Sequence, residues 1–183
     1  MIAILVFVNA IQTTVRAPEI ATAAGITVGK TTIQGFERRY GKGLVLTGGH
    51  PRGAREWYDE TSHVLIDADG FYFTPPEGRK EVIDSLSIEW MAERDCERKV
   101  PRIRLKQSQL GFLAKLKPGM SSSRIEGILH LKLKSGMAKA AGLIKYSGIL
   151  GNKNEHSDRF TAWEATFSID GKTGLQSVSI HGE

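Results

Sequence analysis

The chain has one cysteine, Cys96, so no internal disulfide can brace it and the small disulfide-framework class is excluded. Cys96 lies in ERDCERK with no nucleophile motif around it, and reads as an ordinary free thiol. Long apolar runs are also missing. The opening MIAILVFVNAIQ is too short for a membrane span and lacks the basic leader and small-residue cleavage pattern of a secretory signal. The expectation is therefore a soluble, cytoplasmic or otherwise intracellular protein with no membrane partner. His50, His63, His130, His156 and His181 are scattered, and none stands at zinc spacing from Cys96 or another histidine. Repeats and low-complexity tracts are lacking too, so the 20 glycines in 183 residues point to turns and not to disorder.

Negative charge is scarce in one long stretch. Residues 98–153 hold thirteen Lys or Arg against one carboxylate, Glu126, whereas residues 56–97 hold twelve Asp or Glu against Arg79, Lys80 and Arg94. The overall +5 conceals these two blocks. A cationic block suits a polyanion, because each cation placed on a phosphate releases condensed counterions; alternatively, the two blocks neutralise each other across one fold. Spacing favours the first reading. Arg102, Arg104 and Lys106 alternate with Ile103 and Leu105, and His130, Lys132 and Lys134 alternate with Leu129, Leu131 and Leu133. Period-two alternation places each set on one side of a strand, and two such strands in one sheet would present a cationic face. Arg124, Lys139 and Lys145 add to it.

The fold class expected is α+β, with a largely antiparallel sheet, short helices and a helical N-terminal segment over residues 1–42 leading into a mixed body over 43–183. APEIATAAG reads as a helix stopped at Gly25, and Ile33, Phe36 and Tyr40 share one helical face. HVLIDADGFYFTPPEG reads as two strands about an Asp-Ala-Asp-Gly turn, and DSLSIEW as a half-buried strand. SQLGFLAKLK reads as a short amphipathic helix, RIEGILHLKLK as a strand over at least its second half, and GMAKAAGLIKYSGIL as either helix or strand. FTAWEATFSI, DGKTG and LQSVSI form the clearest hairpin.

Three stretches resemble known motifs. VRAPEIATAAGITVGKTTIQGF is similar to the helix-turn-helix of tetracycline-repressor-like regulators in its Ile20, Ala21, Ala24, Gly25, Ile26 run, although the next apolar anchor, Ile33, falls about two residues late. AGITVGKT satisfies a loose P-loop pattern through Gly29, Lys30 and Thr31, without a preceding strand. LIDADG at 65–70 resembles the core of the LAGLIDADG homing endonucleases, in which a motif helix packs on its twin and the terminal acidic residue binds the divalent metal. Carried over, that residue is Asp69. Ser62, His63 and Val64 replace the small apolar residues of that motif's start, and a hairpin turn accounts for the same letters.

The leading functional expectation is a nucleic-acid-binding protein holding DNA or RNA phosphates through Arg102, Arg104, Lys106, Arg124, His130, Lys132, Lys134, Lys139 and Lys145. A second is a metal-dependent DNA endonuclease using Asp67 and Asp69 for Mg2+, with Asp69 the metal ligand. A third is an assembly protein, a homo-oligomer in which the acidic 56–97 segment meets a basic partner surface. No resident cofactor follows from any motif.

Overall fold

The computed structural model describes residues 22–46, 54–70, 82–135, 143–152 and 162–182. Its strands are β1 (Thr22–Ala23), β2 (Ile26–Thr27), β3 (Leu44–Val45), β4 (Arg55–Asp59), β5 (Val64–Gly70), β6 (Ile83–Trp90), β7 (Arg102–Ile103), β8 (Lys134–Ser135), β9 (Leu143–Asn152), β10 (Ala162–Asp170) and β11 (Gly174–Gly182). Two helices join them, α1 (Ile33–Tyr40) and α2 (Ser122–Leu129). Among the described residues nine strands form one sheet in the order β3-β4-β5-β6-β11-β10-β9-β8, with β7 added parallel to the outer side of β4. All other pairings are antiparallel, so the mostly antiparallel sheet with short helices expected of an α+β fold is present.

Alternation decides which face is covered. Val64, Ile66 and Ala68 on β5, Leu86 and Ile88 on β6, Ala165, Phe167 and Ile169 on β10, and Val178 and Ile180 on β11 all point to one side and are buried. Two segments cover that side. The first supplies Ala23, Ile26, Ile33 and Phe36; the second, running from β7 to α2, supplies Leu105, Leu110, Leu113, Leu116, Ile125 and Leu129 to the same core. Each Ile, Leu or Phe side chain among them contributes about 1.5–3 kcal/mol through burial. Among the described residues the opposite side carries a small second cluster of Tyr58, Cys96 and Val100 at the corner near β4.

Several local expectations are corrected. Residues 22–25, the expected end of the APEIATAAG helix, enter a tight turn instead, in which Ala24 and Gly25 have φ of 52° and 76° between β1 and β2. Gly25 does reverse the chain, but between strands; residues 1–21 lie outside the described residues. The helical face of Ile33, Phe36 and Tyr40 is α1, capped by the Thr32 hydroxyl, which accepts from Gly35 N–H at 3.0 Å. LIDADG is neither helix nor turn. It runs straight through β5, which pairs with β4 on one side and β6 on the other. Two flanking ladders satisfy its backbone and override the turn preference of Asp and Gly; the second expected strand, at 71–74, lies outside the described residues. SQLGFLAKLK forms two short 3-10 turns, Gln107–Gln109 and Phe112–Lys115, because Gly111 between them has φ 61°.

The largest correction concerns RIEGILHLKLK. Its first half is α2, which starts where the Ser121 hydroxyl accepts from Arg124 N–H and ends at His130 in the left-handed conformation, φ 53°. Ile125 and Leu129, four apart, bury one face of α2. The alternation of His130, Lys132 and Lys134 is thus not a strand pattern; only Lys134 enters a strand. Its companion PRIRLK is a strand only at Arg102–Ile103. The two lie at opposite edges of the sheet, so the expected pair of cationic strands does not form one face.

Candidate polyanion interface

The basic side chains fall into three environments. Arg102 is engaged structurally: its guanidinium lies 4.7 Å from the Tyr58 ring centroid and donates to Cys96 Sγ at 2.8 Å. Arg104 donates to Glu60 Oε2 at 2.6 Å, and Lys99 pairs with Glu97 at 3.0 Å, so part of the basic block is neutralised within the chain. Lys106, Lys115, Lys117, Arg124, His130 and Lys132 form the third set. They are exposed on the segment that covers the sheet, on elements whose apolar neighbours enter the core.

That covering segment is held firmly in place. The buried Asp59 carboxylate at the end of β4 accepts from Leu105 N–H at 2.8 Å and from Ser62 N–H at 3.0 Å, fixing the start of the segment against the turn after β4. Gln109 O accepts from Gly25 N–H at 2.7 Å, and the Gln109 amide donates to the Tyr40 hydroxyl. At the far end, Glu126 Oε1 accepts from Leu133 N–H at 2.8 Å. Glu126, the one carboxylate of the basic stretch, therefore fastens the 131–133 loop to α2. Lys134 follows at the β8 edge, exposed. Lys139 lies outside the described residues, and Lys145 is placed only by its backbone, at the β9 position opposite Ser168.

The other face of the sheet carries several carboxylates among the described residues. One row of paired positions runs Glu56, Asp67, Ser87, Ser179 and Thr166 across β4, β5, β6, β11 and β10. Neighbouring rows add Asp69, Glu89 and Glu164, the last 3.1 Å from His181 Nε2. Burial, reinforced by Asp67, Glu97 and Glu89 and partly offset by Lys99, holds the Glu56 carboxyl above its ordinary range. Parts of the two charge blocks meet within the chain, at Glu60–Arg104 and Glu97–Lys99.

Asp67 and Asp69, two residues apart on β5, share this face. Among the described residues no group of three or more His, Cys, Asp or Glu is arranged to hold a metal ion. The motif helix that the LAGLIDADG resemblance implies is a strand here. The P-loop pattern does not form a phosphate cradle either. Gly29 N–H donates to Ile83 O at 2.7 Å, and the N–H groups of Lys30 and Thr31 both turn back to Thr27 O. With those donors engaged, no nest of free amides remains for a phosphate. The helix-turn-helix resemblance ends at the β1–β2 turn, and α1 directs Ile33 and Phe36 into the core.

Sequence reasoning missed a cleft of about 600 Å3 beside the covering segment, with Val64, Trp90, Leu110, Leu113 and Leu116 among its walls. A smaller one of about 320 Å3, lined by Met120, Ser121 and Arg124, shares Lys117 and Pro118 with it. The leucine spacing in SQLGFLAKLK signalled burial but not a gap beside it. No helix among the described residues is long and apolar enough to cross a membrane.

No protein-family model matches the chain, and no curated protein matches it in sequence. Among solved structures it is similar to a DUF4309 family protein, YjgB, from Bacillus subtilis subsp. subtilis str. 168, with a TM-score of 0.51 at 12% identity over 87% of this chain and 83% of that one. At that identity the likeness concerns the fold alone.

Proposed function

We propose that the protein binds a nucleic acid through phosphate contacts from the exposed cations of its covering segment. The supporting observation is that Lys106, Lys115, Lys117, Arg124, His130 and Lys132 are exposed with no carboxylate partner among the described residues, while Glu56 of β4 and Glu89 of β6 stand on the other face of the sheet. Arg102 and Arg104 drop out of the contact set, since Tyr58, Cys96 and Glu60 hold them. Phosphate contacts position a backbone without reading bases, so sequence preference is expected to be weak. Affinity for a duplex of about 20 base pairs, followed by fluorescence anisotropy, should fall linearly in log–log form with salt. A Lys117→Ala, Arg124→Ala, Lys132→Ala variant should lose up to about 0.9 from that slope per contact removed. A salt-insensitive interaction, or an unchanged slope in the variant, rejects the reading.

One observation favours a second reading, assembly of like subunits. The face opposite the cations carries Glu56 and Glu89, so the cationic surface of one copy complements that face of the next.

A further inference from the structure

We infer that the cleft between the turn after β4, the end of β6 and the 107–118 segment binds a small amphiphile carrying one anionic head. The cleft's volume of about 600 Å3 lies in the range that accepts a drug-sized ligand. Val64, Leu110, Leu113 and Leu116 are buried core residues reached at its base, and Trp90, half-buried, adds an aromatic wall. Such an apolar base suits an acyl chain or a ring system.

Charge complementarity fixes the head group. Lys117 and Pro118 are walls both of this cleft and of the adjoining one of about 320 Å3, whose other charged residue is Arg124. An apolar cleft therefore adjoins one whose lining bears two cations and no carboxylate. Glu93 and His63 line the first cleft as well, but neither lines the second. A ligand with its body against Leu113 and Trp90 and a carboxylate, sulfonate or phosphate towards Lys117 and Arg124 matches both halves. A cationic or neutral amphiphile matches only one. This inference does not depend on nucleic-acid binding, since the apolar half of the site contributes nothing to phosphate contacts along a backbone.

The test uses the full chain with decanoate, decanol and anilinonaphthalene sulfonate, titrated by calorimetry below their aggregation limits. Decanoate should bind roughly tenfold more tightly than decanol, the difference expected of one charge-assisted contact. Ala114, exposed on the cleft wall, offers a substitution that leaves the core intact: Ala114→Trp should abolish binding of all three ligands without lowering the melting temperature. Lys117→Glu should remove the preference for decanoate over decanol while leaving decanol affinity within about twofold. Equal affinity for decanoate and decanol, retention of binding in a folded Ala114→Trp protein, or failure of both decanoate and the aromatic sulfonate to bind would each overturn the inference.

Discussion

Asp59 illustrates how one residue couples distant parts of the chain. Its carboxylate is fully buried at the end of β4 and is satisfied by donors and not by a cation: Leu105 N–H, Ser62 N–H, Thr61 N–H and the Ser62 hydroxyl. Replacing it with Ala would leave the Leu105 amide without its acceptor inside the structure, at a cost of about 2–4 kcal/mol. Chemical denaturation should show that loss, and a loss under about 0.5 kcal/mol would show that the turn re-forms around water. Glu56 works in the opposite direction. Its pKa is raised, chiefly by burial and then by Asp67, so the folded state holds the proton more tightly than the unfolded chain. The resulting penalty is absent below the unfolded pKa and sets in as pH rises through the folded one. Glu56→Gln should therefore raise the melting temperature at about pH 7 and change it little at about pH 3. An equal gain at both pH values would mean that the charge is not the cause.

At the scale of elements, the β10–β11 hairpin depends on its turn. Asp170 Oδ1 accepts from the Lys172 and Thr173 amides and the Thr173 hydroxyl, each at 2.8 Å, and these bonds hold its pKa below the ordinary carboxylate value. A depressed carboxylate stabilises above its unfolded pKa, and the contribution fades as pH falls through the folded value. Asp170→Asn should accordingly cost stability at about pH 7 and approach the parent in acid. The same hairpin docks the start of α2's segment: Leu175 N–H donates to Met120 O at 2.9 Å and Gly119 N–H to Leu175 O at 3.1 Å. Gly174, with φ 76°, lies so close to the Gly119 backbone that an added Cβ would overlap it. Gly174→Ala should destabilise the fold by more than the roughly 1 kcal/mol of a left-handed site alone.

This hairpin was legible in the sequence because alternation and an Asp-Gly turn agree over adjacent residues, and β6 was legible for the same reason. LIDADG was not. Its strand state is imposed by β4 and β6 on either side, and pairing partners leave no mark in the strand's own letters. The expectation for His130, Lys132 and Lys134 failed because a period of two can arise by chance in a loop. Ser121, Ile125 and Leu129 carried the helix signal that should have outweighed it. Of the expected site, exposure of Lys106, Arg124 and Lys132 could be read from charge; the diversion of Arg102 to Tyr58 and of Arg104 to Glu60 depends on contacts over 44 residues of separation and could not.

For the whole molecule, the distribution of charge matters more than the net +5. A uniformly basic protein of this size repels its own copies, whereas one with carboxylates on one face of the sheet and cations on the segment over the other can stack head to tail. The contact would be heterologous, using different surfaces on the two copies, so nothing closes the assembly at two subunits. Exposed ion pairs are screened over about 10 Å at 0.1 M salt, which makes such stacking a low-salt phenomenon. Sedimentation velocity in the absence of nucleic acid should therefore show concentration-dependent growth at about 0.02 M salt that disappears by about 0.3 M. Adding a short duplex should compete with it, because the same cations cannot face a phosphate backbone and a neighbouring sheet at once. Glu56→Gln combined with Glu89→Gln should suppress the growth while leaving duplex affinity within about twofold, since both carboxylates lie on the side away from the covering cations. A monomer at every salt concentration would remove assembly as a reading and leave the cationic surface to its polyanion.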